Sequence, residues 1–202
     1  WLSAQNINIG LAPCSAMRVN FVGELGWELH HPIEYQNHIF DQLMEAGKEF
    51  GLKPYGIRAM NSLRVEKSYK LVGTELSIEY SPYESGLDRF VHPNKGDFIG
   101  RAALDKWRAK GFSNKLVTME IHGVTDADVL GNNPIYDNGS VVGRATSGDF
   151  GFRLNKSIAL GMVKPELAKV GQKLKIDILG KMHEASIVEE SPYDSENKLL
   201  RA

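Results

Sequence analysis

The sequence has little cysteine and little net charge, and each shortage excludes a class of protein. Cys14 is the only cysteine among 202 residues, which excludes an intrachain disulfide and a zinc site built on several thiolates. The formal net charge is -1, so no charge excess attracts nucleic acid or an anionic membrane. We therefore expect neither partner. A reducing compartment is the natural setting, either the cytoplasm or, in a eukaryote, the mitochondrial matrix.

Long apolar runs and familiar catalytic signatures are lacking as well. No run approaches the roughly 20 apolar residues that a membrane-spanning helix needs. The sequence contains no GxSxG elbow, phosphate loop or complete dinucleotide fingerprint, which argues against the commonest hydrolases, NTPases and Rossmann enzymes. The six histidines do not have the spacing of metal ligands, so we expect no metal site.

Two periodicities divide the chain. Apolar residues at helical spacing predict helices over residues 34–50, 57–69 and 100–110. From about Lys115 the apolar residues alternate with polar ones instead, which predicts short strands. The pair Asn138-Gly139 lies between two such strands and predicts a hairpin turn. The sequence therefore predicts an α+β protein: an α/β part followed by a small antiparallel β-barrel, closed or nearly closed.

The most informative segment is residues 21–28, FVGELGWE. Alternation from Met17 onward predicts a strand that runs into Gly23 and resumes over residues 27–30. Two glycines allow the turn to pass close to a ligand or to another strand, and two carboxylates lie beside it. By itself the segment is compatible with a structural turn and with a ligand site.

A second segment, YGIRAMNSLRVEK at residues 55–67, follows it. Together the two segments resemble the folate-binding aminomethyltransferase family typified by the T-protein of the glycine cleavage system. The resemblance continues almost to the last residue, through SPYESGLD at 81–88, GDFIGR at 96–101, TSG at 146–148 and SIALGMV at 157–163. The phrases GELGWELH and GDFIG and the tail SPYDSENK at 191–198 look closer still to the C-terminal folate modules of dimethylglycine and sarcosine dehydrogenases.

The resemblance implies a domain organisation. Residues 1–112 would be the C-terminal part of the folate-binding domain, incomplete at its N-terminus, and residues 113–202 the T-protein barrel domain. The sequence starts at Trp1 and enters a strand-like pattern at once, so we expect a fragment or a trimmed product of a longer chain. The family's catalytic aspartate lies upstream, so we assign no catalytic residue here. The missing N-terminal part of the same enzyme is an expected partner, and FAD is expected only in a longer parent chain.

The resemblance also implies folate-binding residues. Glu28 falls where the family has a glutamate that hydrogen-bonds the pterin ring, a task for which a carboxylate is suited because it accepts two hydrogen bonds at once. Phe21 falls where the family usually has a tyrosine, so its ring can stack on the ligand but the hydroxyl contact is lost. Glu24 and Trp27 belong to the same turn, where a structural role and a ligand contact remain equally open.

One departure from the family pattern concerns a cation. Met60 falls where T-proteins usually have an arginine that helps to fix the ligand. That salt bridge is absent unless Arg58 or Arg64 reaches the same place, and we take Arg64 as the candidate contact. The departure favours the dehydrogenase branch over direct T-protein chemistry.

The implied function is tetrahydrofolate-dependent transfer of a one-carbon unit, carried out as the C-terminal part of a dimethylglycine or sarcosine dehydrogenase-like enzyme. Two alternatives remain open: a stand-alone T-protein-like aminomethyltransferase or folate-dependent demethylase, and a non-catalytic folate-binding module. Whether this chain is itself an active enzyme is left open, as is the N-methyl amine that serves as substrate.

Overall fold

The computed structural model describes residues 1–124 and 126–202. These residues form two compact units, one made of residues 1–60 with 196–202 and the other of residues 61–195. Among the helices of the described residues, none is both long enough and apolar enough to cross a bilayer.

The first unit contains a three-stranded antiparallel sheet in the order β1-β2-β3, formed by β1 (Ala4–Ile9), β2 (Ala12–Met17) and β3 (Glu28–His30). Alternation along β2 buries Ala12, Cys14 and Ala16 on one face. The unit also contains α1 (Gln36–Ala46) and a short C-terminal helix, α4 (Lys198–Arg201), whose Leu200 is buried.

The strand predicted to run into Gly23 ends earlier, so that prediction was wrong. β2 stops at Met17, and residues 18–27 form an irregular loop before β3. The cause is the side chain of Asn20, whose Oδ1 accepts hydrogen bonds from the amides of Val22 at 3.1 Å and Gly23 at 2.7 Å. Such a side-chain turn competes with ladder pairing. It is completed by Gly23 at a φ of 76°.

The helices follow the sequence prediction closely. α1 is flanked by 3₁₀ turns over Ile33–Tyr35 and Lys48–Phe50, and Gly51 follows in the left-handed conformation. α2 (Ile57–Glu66) ends three residues before the predicted boundary because the backbone turns left-handed at Ser68, with a φ of 55°. α3 (Arg101–Lys110) ends before Gly111 as predicted.

The second unit contains a closed antiparallel barrel of six strands in the order β4-β7-β6-β5-β8-β9, which confirms the predicted barrel. Its strands are β4 (Lys115–Ile121), β5 (Pro134–Asp137), β6 (Ser140–Gly151), β7 (Lys156–Val163), β8 (Lys173–Ile178) and β9 (Lys181–Val188). Inward-facing side chains from all six strands make one apolar core, with Met119, Ile135 and Ile176 fully buried.

The predicted hairpin is present, and a second one joins the last two strands. Asn138 and Gly139 join β5 to β6 with φ values of 47° and 81°, and Leu179 and Gly180 join β8 to β9 at 52° and 82°. Two consecutive residues of positive φ match the right-handed twist of paired strands, which explains the choice of Asn-Gly at the first turn.

Candidate functional site

The candidate site lies on the first unit, where the loop of residues 18–27 leads into β3. The antiparallel register pairs Met17 with Glu28 and Ser15 with His30, so that these side chains share one face of the sheet. This face is opposite to the one that buries Cys14. A shallow depression of about 480 Å³ lies at this sheet, lined by Asn6, Ile7, Asn8, Pro13, Cys14, Ser15, His30 and Pro32.

Glu28 is the first residue of β3 and stays accessible. Its Oε2 lies 3.1 Å from Nε2 of His30, two residues further along the same face, and 45% of the Glu28 side chain is exposed. The contact orients the carboxylate without covering it. Glu28 can therefore accept hydrogen bonds from the N–H groups of a ligand.

The loop before Glu28 is held by Arg18, which is 9% exposed. Its Nη1 donates to the carbonyl oxygen of Gly26 at 3.3 Å, and its Nη2 donates to the carbonyl oxygen of Ala202 at 2.9 Å. The guanidinium also lies over the indole of Trp27, 5.4 Å from the ring centroid. These contacts fix the end of the loop immediately before the candidate carboxylate.

Four of the five predicted site residues lie in the loop of residues 18–27 and at the start of β3. Trp27 is 52% exposed, while Phe21 and Glu24 are half-buried in the loop. Trp27 precedes Glu28 in the sequence, and its indole contacts the guanidinium of Arg18. Their contacts with folate stay predictions.

Sequence reasoning missed the two residues that shape this loop, Arg18 and Asn20. Asparagine favours turns in which its side chain bonds the backbone two residues on, so Asn20 three positions before Gly23 was a usable signal. The contacts of Arg18 with Gly26 and Ala202 depend on tertiary structure. No local sequence pattern predicts these contacts.

Arg64, the fifth predicted residue, belongs to the second unit and is 2% exposed. Nε and Nη2 donate to Oδ1 of Asn61 at 3.0 and 2.8 Å, and Nη1 donates to the carbonyl oxygen of Tyr69 at 3.0 Å. Nη1 also lies 3.4 Å from Oε2 of Glu75. All three guanidinium nitrogens therefore have partners inside the protein. A ligand contact for Arg64 stays a prediction that these partners do not favour.

The carboxylate that faces Arg64 is fully buried as well. Burial by itself raises the pKa of Glu75, but hydrogen bonds from Ser147 Oγ at 2.5 Å, the Leu71 amide at 2.8 Å and Thr74 Oγ1 at 2.8 Å outweigh it. The pKa of Glu75 is therefore held below its usual value, and the group is an anion at neutral pH. This cluster anchors the C-terminal part of α2 and the segment after it within the second unit.

Among the residues that the structure describes, no three His, Cys, Asp or Glu side chains are grouped so that they could hold a metal ion.

Comparisons with known proteins agree with this architecture. Residues 1–95 match the family model described as the GCVT N-terminal domain, and residues 114–194 match the one described as the glycine cleavage T-protein C-terminal barrel domain. The second match covers the six-stranded barrel.

Two groups of curated relatives are similar to the chain. Human mitochondrial dimethylglycine dehydrogenase is 39% identical over 94% of this chain, but the match covers only 22% of that protein. An aminomethyltransferase from Desulfitobacterium hafniense is 36% identical over 87% of this chain and 47% of its own length. The chain thus spans about half the length of the aminomethyltransferase and less than a quarter of the dehydrogenase.

A solved structure shows the same fold. The crystal structure of glycine cleavage system aminomethyltransferase T from Bartonella henselae matches 90% of this chain and 50% of its own, with a TM-score of 0.81 and 24% identity. The two family models and this solved structure all match the chain, and each belongs to the glycine cleavage T-protein. The chain therefore belongs to the glycine cleavage T-protein family, with a match to the GCVT N-terminal domain followed by a match to the T-protein C-terminal barrel domain.

Proposed function

We propose that this chain is the folate-binding, C-terminal part of a longer enzyme that transfers a one-carbon unit to tetrahydrofolate. The observation that carries the proposal is the match to human dimethylglycine dehydrogenase, which is 39% identical over nearly the whole chain while occupying 22% of that protein. The remainder of such a parent would supply the amine-oxidising half, and FAD belongs to that half alone. A mitochondrial matrix location follows for a eukaryotic parent, and a cytoplasmic one otherwise.

The residues of the first unit fit a pterin-like ligand. The exposed carboxylate of Glu28 can accept from ring N–H and amino donors, and the exposed indole of Trp27, the preceding residue, offers an aromatic surface. Phe21 and Glu24 in the same loop add an aromatic ring and a second carboxylate. We assign these four residues to folate binding, and we assign the catalytic acid–base group to the part of the enzyme outside residues 1–202.

The chemistry follows from what these side chains can do. Tetrahydrofolate accepts the one-carbon unit through a ring nitrogen. The chain's own contribution is to hold the ring so that this nitrogen meets the incoming electrophile, a placement that by itself supplies much of the rate. The domain boundary near residue 112 belongs to the same proposal.

A second candidate is a T-protein-like aminomethyltransferase without an oxidase half. The observation that favours it is the 36% identity to the Desulfitobacterium hafniense aminomethyltransferase, of which the chain spans 47%. The two candidates share the folate site and differ in the upstream polypeptide. A flavin-binding domain upstream selects the first, and a short segment bearing the catalytic aspartate selects the second.

The test is calorimetric titration of tetrahydrofolate into this chain and into a longer form extended at its N-terminus to the length of the aminomethyltransferases. We expect binding by the longer form. Glu28→Gln in that form should weaken binding about 10- to 100-fold, the equivalent of losing one charge-assisted hydrogen bond. Glu49→Gln, at an exposed position of the same unit, is the matched control and should bind as the wild type does.

Three outcomes would count against the proposal. Equal affinity of the wild type and Glu28→Gln would remove Glu28 from the site. If neither the given chain nor the longer form bound tetrahydrofolate, the protein would have the family fold without its folate-binding function. Binding without transfer by the longer form, supplied with its amine substrate, would indicate a non-catalytic folate-binding module.

A further inference from the structure

The second unit carries a polar cavity to which the proposed function gives no role. Its volume is about 260 Å³, just below the range of about 300–1,000 Å³ found for sites that hold drug-sized ligands. Two charged side chains, Glu79 and Arg144, line it together with Ser77 and Asn132. Such a lining suits a ligand that is small and polar.

One wall of the cavity is backbone held by hydrogen bonds. The pairing of β6 with β7 shifts register between Ala145 and Ser147, so that Thr146 is the extra residue of a β-bulge. Bulges are frequent beside binding sites because they redirect the chain locally. The loop of residues 130–133 is bonded to this part of β6, since the Asn132 amide donates to the carbonyl oxygen of Ala145 at 2.8 Å. Asn132 is therefore held in place at the cavity.

Arg144 is oriented by neutral groups. Its Nε and Nη2 donate to the hydroxyl oxygen of Tyr80 at 3.0 and 2.6 Å, and its Nη1 donates to Oδ1 of Asn132 at 3.2 Å. A hydroxyl and an amide fix the guanidinium but bring no negative charge to it. The positive charge of Arg144 is therefore left for an anionic partner.

The anionic partner in the structure is Glu79, whose Oε2 accepts from Nη2 of Arg144. This ion pair is open to water, because the side chains of Arg144 and Glu79 are 44% and 59% exposed. Exposed pairs contribute little to stability. Glu79 also lies in a turn, so its side chain can move away without disturbing a helix or a strand. A second carboxylate can therefore replace that of Glu79 at small cost.

We propose that this cavity binds a small polar organic molecule through its carboxylate group, with Arg144 as the anchor and with Glu79 occupying the anion position when the ligand is absent. The carboxylate of the ligand accepts from Nη2 in place of Glu79. A hydroxyl group on the ligand contacts Ser77 and Asn132 in the lining. A carboxylate fits better than a tetrahedral anion, because the group that already fills the position is a carboxylate. Every residue involved belongs to the second unit, so this binding does not depend on the folate site.

The experiment is a titration of the isotope-labelled chain with glycolate at constant ionic strength, followed by NMR. The signals to follow are the Nε–H group of Arg144, identified by its loss in Arg144→Gln, and the amide of Gly131, which also lines the cavity. We expect both to shift and to saturate. Propionate has a methyl group in place of the glycolate hydroxyl and should bind about 3- to 10-fold more weakly, the range expected for one hydrogen bond. Inorganic phosphate should also bind more weakly than glycolate.

Three variants separate the roles of the two charged residues. Arg144→Gln should weaken glycolate binding about tenfold or more, because the charge-assisted hydrogen bond is lost. Glu79→Gln removes the competing carboxylate and should tighten binding about 2- to 5-fold, a gain that a purely structural Glu79 would not give. Arg108→Gln is the matched control, since Arg108 is an exposed arginine of the same unit that also lies beside a tyrosine ring, 5.5 Å from the centroid of Tyr83. It should bind glycolate as the wild type does.

Saturable binding that is weakened in Arg144→Gln, strengthened in Glu79→Gln and unchanged in Arg108→Gln supports the proposal. Shifts that rise without saturation, or equal affinity in Arg144→Gln and the wild type, overturn the site. No gain of affinity in Glu79→Gln overturns the competition by Glu79. Equal binding of propionate overturns the contact with the ligand hydroxyl, and tighter binding of phosphate overturns the choice of a carboxylate. Glu79→Gln alters an exposed side chain and tests the proposal even if Arg144→Gln does not fold.

Discussion

Glu75→Gln tests whether Arg64 is held inside the second unit as a structural cation. The substitution keeps the size of the side chain but removes the charge that faces Arg64 at 3.4 Å, with Glu75 fully buried and Arg64 2% exposed. Removing one partner of a buried ion pair costs about 3–5 kcal/mol because the other charge is left uncompensated. The glutamine oxygen can still accept from the Leu71 amide or from Ser147 Oγ, so we expect the lower end, about 3 kcal/mol.

The assay is urea unfolding of the whole chain followed by far-UV circular dichroism, with thermal melting alongside. A loss of about 3 kcal/mol corresponds to a fall in melting temperature of about 6–12 °C for a protein of this size. The matched control is Glu184→Gln, which breaks an exposed ion pair with Lys175 on the barrel surface. Exposed pairs contribute about 0–1 kcal/mol.

The result that would refute the reasoning is a Glu75→Gln protein as stable as Glu184→Gln. In that event the hydrogen bonds around Glu75 would suffice without its charge. Arg64 would then be held by Asn61 and Tyr69 without help from the charge of Glu75.

Three further predictions concern the second unit. Burial raises the pKa of Glu84, but hydrogen bonds led by those from Ser81 outweigh it and lower the pKa. The ionised Glu84 therefore stabilises the fold above the ordinary carboxyl pKa, and this stabilisation is lost as the pH falls through the lowered pKa of the folded state. In Glu84→Gln the free energy of unfolding should fall less steeply than in the wild type below about pH 4.5. Gly143→Ala would put a Cβ 2.2 Å from a backbone oxygen of β7 and should cost about 3 kcal/mol in a urea titration, far more than Val141→Ala at an exposed position of the same strand. Lys67→Met removes two donations from Nζ to the backbone of residues 193–194, and it should speed amide hydrogen exchange there while leaving exchange in the barrel core unchanged.

The barrel could be predicted from the sequence because its signals are local. Apolar and polar residues alternate along β4 and β8 because successive side chains of a strand point to opposite faces. Asn138-Gly139 supplies the positive φ values that a two-residue hairpin requires. Closure into a six-stranded barrel follows from several such strands in succession. These features need no knowledge of distant residues.

The candidate site was predicted less completely because its support is not local. Alternating residues at 17, 19 and 21 fit a strand, yet the Asn20 side chain diverts the backbone into a loop. Arg18 finds a partner at residue 202, at the other end of the chain. Arg64 looked like an available cation on a helix face, whereas its burial opposite Glu75 becomes visible only when the fold is known. The resemblance to the family identified Glu28 and its neighbours as candidate site residues. The contacts that hold their loop became visible only in the tertiary structure.

The pairing of β4 with β9 has a consequence for synthesis of the protein. Residue 118 pairs with residue 188, and the Tyr193 amide donates to the carbonyl oxygen of Glu66. Contacts between such distant residues form late and slow folding, because a long loop must close before they contribute. During translation the barrel stays open until β9 has left the ribosome, with the edge of β4 unpaired and prone to association with other chains. A stop codon within β9 should therefore yield an aggregating product rather than a slightly shorter folded one.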